Sequence, residues 1–181
     1  MRRYTYGIIV FLWIVHLVSQ ESVGLQIGDV MPAFQANNDE GEMWQSENYI
    51  GKRILILYFY PAAMTSGCTI QACNYRDSKE DFNQYNADVI GVSGDSITGL
   101  QLFKEVHQIN FMLLSDPIGS VAQLFGVPIS KGGKINKEIN AEHFMLSRGV
   151  TANRWTFVIG LDGKLLYKNE NVDPSEDAKQ V

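Results

Sequence analysis

The chain has 181 residues, of which 45% are hydrophobic and 19% are charged, so it can bury one ordinary hydrophobic core. Its formal net charge of −5 argues against a general nucleic-acid binder, because neutralising phosphates requires clustered Lys and Arg. A local basic excess at Lys131, Lys134 and Lys137 is interleaved with Gly132 and Gly133, which is typical of a solvated loop. We therefore expect one globular domain and no nucleic-acid partner.

The N-terminal segment, residues 1 to 24, differs from the rest of the chain. Arg2 and Arg3 precede an apolar stretch of 12 residues, 7 to 18, and polar residues follow it, which is the order of a secretory signal. Twelve residues are few for a membrane span of about 20, although counting from Tyr4 lengthens the stretch. A buried element of the fold is the less favoured alternative. We expect a cleaved signal or an anchor that tethers the domain to a membrane, so that residues 25 to 181 are exported to the periplasm, cell envelope or medium.

Strands and helices are predicted to alternate through the first half of the domain. Residues 53 to 60 form a β-branched and aromatic run that ends at Pro61, and residues 87 to 93 form a second apolar run; both are typical of buried strands. A helix is predicted from about residue 69 to 85. Another is predicted over residues 96 to 109, with Ser96 as its N-cap.

The sequence of the second half of the domain predicts shorter strands and helices. Strands are expected at 112 to 114 and 155 to 159, a short helix at 118 to 125, and a hairpin that continues into 165 to 167. Residues 129 to 153 lack a strong period, so we expect a loop with one helical turn. Residues 172 to 177 resemble the start of a terminal helix. This alternation predicts an α/β sandwich built on a central sheet.

Two cysteines, Cys68 and Cys73, carry the candidate chemistry. Cys68 stands where a loop becomes a helix, just after a buried strand. The backbone N–H groups and the positive end of the helix dipole favour a thiolate at such a position. A thiolate is the form that attacks an O–O bond and becomes a sulfenic acid.

Other interpretations of the two cysteines remain open on spacing alone. A structural disulfide would close a short loop at a helix start and strain the helix. A zinc site normally needs four ligands, and His107 and His143 lie far away in sequence. Two buried, inert cysteines are the strongest alternative to redox chemistry.

The spacing of the two cysteines has a geometric consequence. Five residues along a continuous helix correspond to a rise of about 7.5 Å and a rotation of about 500°, so the two side chains point apart. Their Cα atoms would exceed the limit of about 7 Å for a disulfide. If Cys68 and Cys73 pair, the first turns of the helix must unwind.

The window from residue 53 to 95, which contains the pattern P-x3-T-x-G-C-x4-C, resembles the peroxiredoxins, specifically the peroxiredoxin Q or bacterioferritin comigratory protein type. The similarity continues through residues 113 to 117, 125 to 127 and 154 to 159, and it covers the chain from about Leu25 onward. The resemblance implies a thioredoxin-like three-layer sandwich, with a central mixed sheet flanked by helices. The extra N-terminal elements of that fold would come from about residues 27 to 47.

The resemblance also assigns roles residue by residue. Cys68 matches the peroxidatic cysteine and Cys73 the resolving cysteine of the members that pair within one helix. Thr65 matches the threonine that holds the peroxide, and Pro61 the proline that shields the thiolate from water. Arg154 matches the arginine that stabilises the thiolate and polarises the peroxide, which suits a fixed guanidinium. Taken singly, a loop-capping threonine, a strand-ending proline and a surface arginine are the simpler interpretations.

One departure from the family pattern is Ser66, which stands where proline is common, so the loop at Thr65 loses a φ restraint. We interpret the chain as a peroxidase that uses a hydroperoxide substrate and thioredoxin or another dithiol, without metal, haem or flavin. A monomer or weak dimer is expected. The alternatives are an exported thiol–disulfide oxidoreductase, which would normally carry C-x-x-C, and a catalytically silent thioredoxin-like binding module.

Overall fold

The computed structural model describes residues 24 to 139 and 141 to 181. Apart from Gly24, the predicted signal or anchor lies outside the described residues. The strands are β1 (Gln35–Asn38), β2 (Met43–Gln45), β3 (Ile54–Phe59), β4 (Ala87–Ser93), β5 (Met112–Ser115), β6 (Ile129–Ile139), β7 (Glu142–Ala152), β8 (Trp155–Ile159) and β9 (Leu165–Asn169). The helices are α1 (Ser66–Asp77), α2 (Lys79–Gln84), α3 (Ile97–His107), α4 (Ser120–Leu124) and α5 (Asp177–Gln180).

Seven strands form one mixed sheet in the order β2-β1-β5-β4-β3-β8-β9. β3, β4 and β5 are parallel, whereas β8 runs antiparallel to β3 and β1 runs antiparallel to β5. β3 therefore lies inside the sheet, and its carboxyl end leads directly into the loop before α1. The predicted α/β architecture with a central mixed sheet is confirmed.

The sheet separates two hydrophobic cores, because alternate side chains of β3 point to opposite faces. Ile56, Tyr58 and Tyr60 pack on one face with apolar side chains of α1 and α3. Leu55 and the other alternate residues of β3 pack on the opposite face with α4. Helices on both faces make the three-layer arrangement that the resemblance implied.

The predicted helix over residues 69 to 85 is two helices in the structure. α1 begins at Ser66, three residues before the predicted start, and ends at a cap on Ser78, from which α2 begins. Ser78 has φ −90° and ψ 6°, which departs from helical geometry and redirects the chain. The earlier start places Cys68 inside the first turn of α1.

The prediction of a loop with a helical turn at residues 129 to 153 was wrong. β6 and β7 form an antiparallel hairpin that pairs from Ile129 with Ala152 to Ile139 with Glu142. The hairpin folds back on the sheet, and Ile135, Phe144 and Leu146 pack against the core beside α3. Its pattern was obscured because only part of one face meets the core and glycines interrupt the strands.

The terminal helix exists, although it starts at Asp177 and spans four residues, Asp177–Gln180. β1 and β2 supply the expected N-terminal elements. Within the described ranges no helix is long and apolar enough to cross a membrane.

Candidate active site

The loop between β3 and α1 is held from two sides. The Ala63 amide donates a hydrogen bond to the buried Asp95 carboxylate at 2.7 Å, and Ser93 Oγ donates to the same carboxylate at 2.8 Å. Thr65 Oγ1 donates to the Ala62 carbonyl at 2.8 Å. Burial raises the pKa of Asp95, and the hydrogen bonds from Ala63 and Ser93 oppose this rise. Asp95 therefore holds the loop between β3 and α1 in place at Ala63.

Cys68 lies in the first turn of α1 with its side chain only 1% exposed. Thr65 occupies the N-cap position with extended geometry, φ −92° and ψ 150°, but its side chain makes no capping hydrogen bond. The Thr65 hydroxyl thus keeps its lone pairs free while its proton goes to Ala62. The backbone N–H groups in the first turn of α1, where Cys68 lies, have no partners within the helix.

Arg154 is brought to Cys68 from a position 86 residues away, immediately before β8. Its Nη2 donates to Cys68 Sγ at 3.3 Å, within the range of a hydrogen bond to sulfur. Its Nη1 donates to Gln71 Oε1 at 2.5 Å. A guanidinium held at two points offers a permanent positive charge in a fixed orientation to a thiolate.

Gly67 lies where the Arg154 guanidinium and the C-terminal segment approach the start of α1. A Cβ atom at Gly67 would lie 3.4 Å from Arg154 Nη2 and 3.7 Å from Pro174 Cγ. Both distances are ordinary van der Waals contacts, so a methyl group would fit at this position.

Three buried tyrosines, Tyr58, Tyr60 and Tyr75, pack in the same core cluster as Cys68 and form an aromatic floor for it. The Tyr58 ring stacks on Tyr60 with centroids 5.4 Å apart and on Tyr75 with centroids 4.8 Å apart. Burial raises the pKa of Tyr58 well above its usual range, and the neighbouring Cys68 raises it further. This floor keeps water away from the inner side of Cys68.

A buried polar network continues from Arg154 to the C-terminal helix. Gln71 Nε2, Tyr75 Oη and Thr156 Oγ1 donate to Asp177 Oδ2 at 2.6, 2.7 and 2.8 Å. Gln71 and Asp177 were missed from the sequence. Gln71 lies three residues after Cys68, and this helical spacing could have pointed to it. Asp177 carried no local signal of its site, because it meets Gln71 from 106 residues away.

The other two predicted residues, Pro61 and Cys73, form no hydrogen bond with Cys68 in the described part of the chain. Pro61 follows the end of β3 by two residues and is partly buried. Cys73 lies on the same continuous helix as Cys68, is partly exposed, and is a free thiol like Cys68. The structure therefore brings Cys68 and Arg154 into contact, and it keeps Cys73 on another side of α1.

The best-formed cleft of the domain is not lined by any of the predicted site residues. A cleft of about 300 Å³ lined by Trp44, Phe82 and Phe111 lies at the end of the sheet opposite Cys68. In residues 24 to 139 and 141 to 181, no three His, Cys, Asp or Glu side chains cluster as a metal site.

Comparison with known proteins identifies the family. Residues 27–168 match the model of the AhpC/TSA family. The chain belongs to the AhpC/TSA family. It is 38% identical over 142 residues to Peroxiredoxin Bcp of Bacillus subtilis, covering 78% of this chain and 83% of that protein. Peroxiredoxin Bcp of Escherichia coli K12 is 37% identical over 141 residues, with the same two coverages, 78% and 83%.

Solved structures agree with this membership in the AhpC/TSA family. Peroxidoxin BcpB from Mycobacterium tuberculosis superposes with a TM-score of 0.71 at 29% identity, covering 86% of this chain and 93% of that one. A PrxQ mutant from Xylella fastidiosa gives a TM-score of 0.71 at 24% identity, with coverage of 86% and 92%, and supports the fold. The predicted resemblance to peroxiredoxin Q is confirmed, and the chain is a thiol peroxidase of this family.

Proposed function

We propose that the chain reduces hydrogen peroxide and organic hydroperoxides with Cys68 as the nucleophile and Cys73 as the resolving thiol. The observation that carries this proposal is the hydrogen bond from Arg154 Nη2 to Cys68 Sγ at 3.3 Å. A buried sulfur beside a fixed guanidinium, at the first turn of a helix, is an environment that stabilises a thiolate.

In the first step, the Cys68 thiolate attacks the terminal oxygen of ROOH. The S–O bond forms while the O–O bond breaks, and the leaving RO⁻ takes up a proton to give ROH. Cys68 becomes a sulfenic acid and the peroxide is reduced by two electrons. Arg154 stabilises the negative charge that spreads over sulfur and the two oxygens.

Two loop residues complete this step. We assign to Thr65 the binding of the peroxide, because its hydroxyl can accept a hydrogen bond from the O–O–H group while donating to Ala62. We assign to Pro61, by the family resemblance, the shielding of the thiolate from water. The tyrosine floor beneath Cys68 supports the same exclusion from the inner side.

In the second step, the Cys73 thiol attacks the sulfenic sulfur, a disulfide forms, and water leaves. The two cysteines are five residues apart on α1, so this step requires the first turns of the helix to unwind. Thioredoxin or a similar dithiol then reduces the disulfide and is itself oxidised to a disulfide. No metal or organic cofactor takes part in these steps.

The test is peroxide consumption by the purified protein with thioredoxin or dithiothreitol, for hydrogen peroxide and tert-butyl hydroperoxide separately. Cys68→Ser is expected to abolish turnover with both, because serine cannot form the sulfenic acid. Near-normal turnover in Cys68→Ser together with loss in Cys73→Ser would reverse the two assignments. Disulfide exchange with protein substrates, without peroxide consumption, would favour a thiol–disulfide oxidoreductase instead.

We also propose that residues 1 to 24 direct export, either as a cleaved signal or as a membrane anchor. The support is the order of Arg2, Arg3, the apolar stretch and the polar residues after it. Mass spectrometry of protein from its native host is expected to show a mature start between residues 19 and 26, or a full chain in the membrane fraction. Uncleaved protein in the cytoplasmic fraction would contradict the proposal.

A further inference from the structure

Asp177 is a buried carboxylate that the steps proposed above do not use. It is 0% exposed, and its Oδ2 accepts hydrogen bonds from Gln71, Tyr75 and Thr156. Among the described residues, no Lys, Arg or His nitrogen forms an ion pair with it. Because burying a carboxylate without a charged partner is costly, three donors converging on one oxygen indicate a defined arrangement.

The donor and acceptor chemistry fixes which way the Gln71 amide points. A carboxylate only accepts hydrogen bonds and a guanidinium only donates them. Gln71 lies between the two, so its NH₂ group must face Asp177 and its carbonyl oxygen must face Arg154. Without Asp177 the amide could rotate and turn its NH₂ group towards Arg154, where two donors would oppose each other.

We propose that Asp177 is a positioning residue for the peroxide step, which acts through Gln71 to hold the Arg154 guanidinium against Cys68. Asp177 donates to or accepts from neither the cysteine sulfur nor the guanidinium, and Gln71 is the residue that hydrogen-bonds to both Asp177 and Arg154. The C-terminal helix α5 is thereby part of the support of the active site. The expected change in the rate of the peroxide step rests on the proposed function. The expected change in the ionisation of Cys68 does not.

A positioning role and a simple charge effect predict opposite changes in the ionisation of Cys68 when Asp177 is replaced. If Asp177 acted only by its negative charge, removing that charge would favour the Cys68 thiolate. If Asp177 positions Arg154, removing it would misplace the guanidinium and disfavour the thiolate. A purely structural role would lower the melting temperature and leave the ionisation of Cys68 unchanged.

The experiment compares Asp177→Ala, Asp177→Asn, Gln71→Ala and the Asp177→Ala/Gln71→Ala double variant. Thiolate absorbance at 240 nm is titrated in a Cys73→Ser background, so that Cys68 is the one thiol present. The rate of sulfenic acid formation with hydrogen peroxide is measured by stopped flow. Glu176→Gln is the matched control, because Glu176 lies in the same segment, is exposed, and pairs only with Lys179.

Asp177→Ala is expected to move the midpoint of the thiolate titration upward by about one pH unit, a tenfold change in ionisation. The peroxide step should slow by about tenfold, which is the scale of a modest misplacement. Asp177→Asn should recover part of both effects, since its amide oxygen still offers an acceptor to Gln71 but has two lone pairs for the three donors. Glu176→Gln should match the wild type in both measurements.

The double variant tests the path through Gln71. Once Gln71 is replaced by Ala, the further change Asp177→Ala should alter either readout by less than about twofold, because the two residues act as one unit. An unchanged or lower midpoint in Asp177→Ala, or single effects that multiply in the double variant, would overturn the inference. Gln71→Ala keeps the test valid if the Asp177→Ala variant folds poorly, because a wild-type midpoint in Gln71→Ala would also overturn the inference. Absence of peroxidase activity in the wild type would refute the proposed function and leave the titration result standing by itself.

Discussion

Cys68 and Cys73 lie on the same helix and differ in their burial. Cys68 is 1% exposed, receives a hydrogen bond from Arg154, and rests on a floor of stacked tyrosines. Cys73 is partly exposed and lies beside Arg76, whose guanidinium donates to Asp77 and to the His107 carbonyl. The hydrogen bond to Asp77 raises the pKa of Arg76, and the neighbouring Cys73 raises it further. The difference shows that the sequence motif supplies two thiols, each beside an arginine, and that only Cys68 is also buried on the tyrosine floor.

Contacts between α1 and the C-terminal segment oppose the pairing of the two cysteines. Asn74 Nδ2 donates to the Pro174 and Ser175 carbonyls at 3.4 and 3.0 Å, so α1 is also tied to the C-terminal segment beyond Gln71. In the proposed cycle the peroxide step needs a fully formed α1, whereas disulfide formation needs its first turns to open. The predictions below alter either the environment of Cys68 or the stability of this helix.

The largest effect is expected when the positive charge is removed from the environment of Cys68. Arg154→Ala should slow the peroxide step by about 10²- to 10³-fold, which is typical for the loss of one transition-state donor. Arg154→Lys should recover only part of the rate, because an ammonium is a point charge without the planar fork of donors. Stopped-flow measurement of sulfenic acid formation checks both variants. Equal rates in wild type and Arg154→Ala would remove Arg154 from the site.

A second large difference is expected between the redox states of α1. Amides of residues 69 to 75 should exchange with solvent about 10²-fold faster in the disulfide form than in the reduced form, because the disulfide breaks helical hydrogen bonds. Hydrogen exchange with mass spectrometry provides the comparison. Cys73→Ser treated with one equivalent of peroxide is the control, since it is oxidised but cannot unwind into a disulfide. Equal protection in both forms, with the disulfide verified by mass spectrometry, would contradict the unwinding step.

A moderate effect is expected from loosening α1 at Asn74. Asn74→Ser removes the bonds to the C-terminal segment and leaves helix propensity nearly unchanged. Hydrogen bonds of this kind contribute about 0.5–1.5 kcal/mol, so the disulfide should form about two- to tenfold faster. The yield of Cys68 sulfinic acid at high peroxide should fall, since resolution competes with that second oxidation. Both quantities are measured by quenched-flow mass spectrometry.

The control for Asn74 is Asn83→Ser on α2. Asn83 is exposed, and its side chain makes no hydrogen bond in the described part of the chain. Its replacement should leave both quantities unchanged. A disulfide rate in Asn74→Ser equal to that in Asn83→Ser would show that the C-terminal segment does not restrain α1.

The sequence predicted the parts of this molecule that follow from local pattern. Strand β4 was predicted with its observed limits because its residues are buried on both faces, and Ser96 caps α3 by accepting a hydrogen bond from the Gly99 amide. Cys68 was placed correctly at the start of a helix. Arg154 was found through the family resemblance, since no local pattern connects it with residues so distant in sequence.

The sequence did not predict features that depend on contacts between distant segments. Asp177 in a polar C-terminal stretch resembles any solvated acid, and only the fold buries it beside Gln71. The β6–β7 hairpin was missed because its two strands pair only with each other along most of their length. Long-range pairing is invisible to hydrophobic periodicity when most of a strand is exposed.

The smallest effect is expected at Ser66, where the family commonly has proline. Ser66 is the first residue of α1, a position that favours proline because its N–H has no partner within the helix. The preceding Thr65 already has the extended geometry, φ −92° and ψ 150°, that a following proline requires. The Ser66 side chain is exposed, so a proline ring at this position would face solvent.

Ser66→Pro should therefore stabilise the reduced protein by about 0.4–1 kcal/mol, because it restricts the unfolded chain without straining the helix. The same restraint opposes local unwinding, so the disulfide should form about two- to fivefold more slowly and sulfinic acid should rise. This change is opposite in direction to that expected for Asn74→Ser. Urea unfolding gives the free energy, and quenched-flow mass spectrometry gives the rates. Ser66→Ala separates loss of the hydroxyl from gain of the ring. A proline variant whose disulfide forms as fast as that of this alanine control would show that the start of α1 does not set the rate of opening.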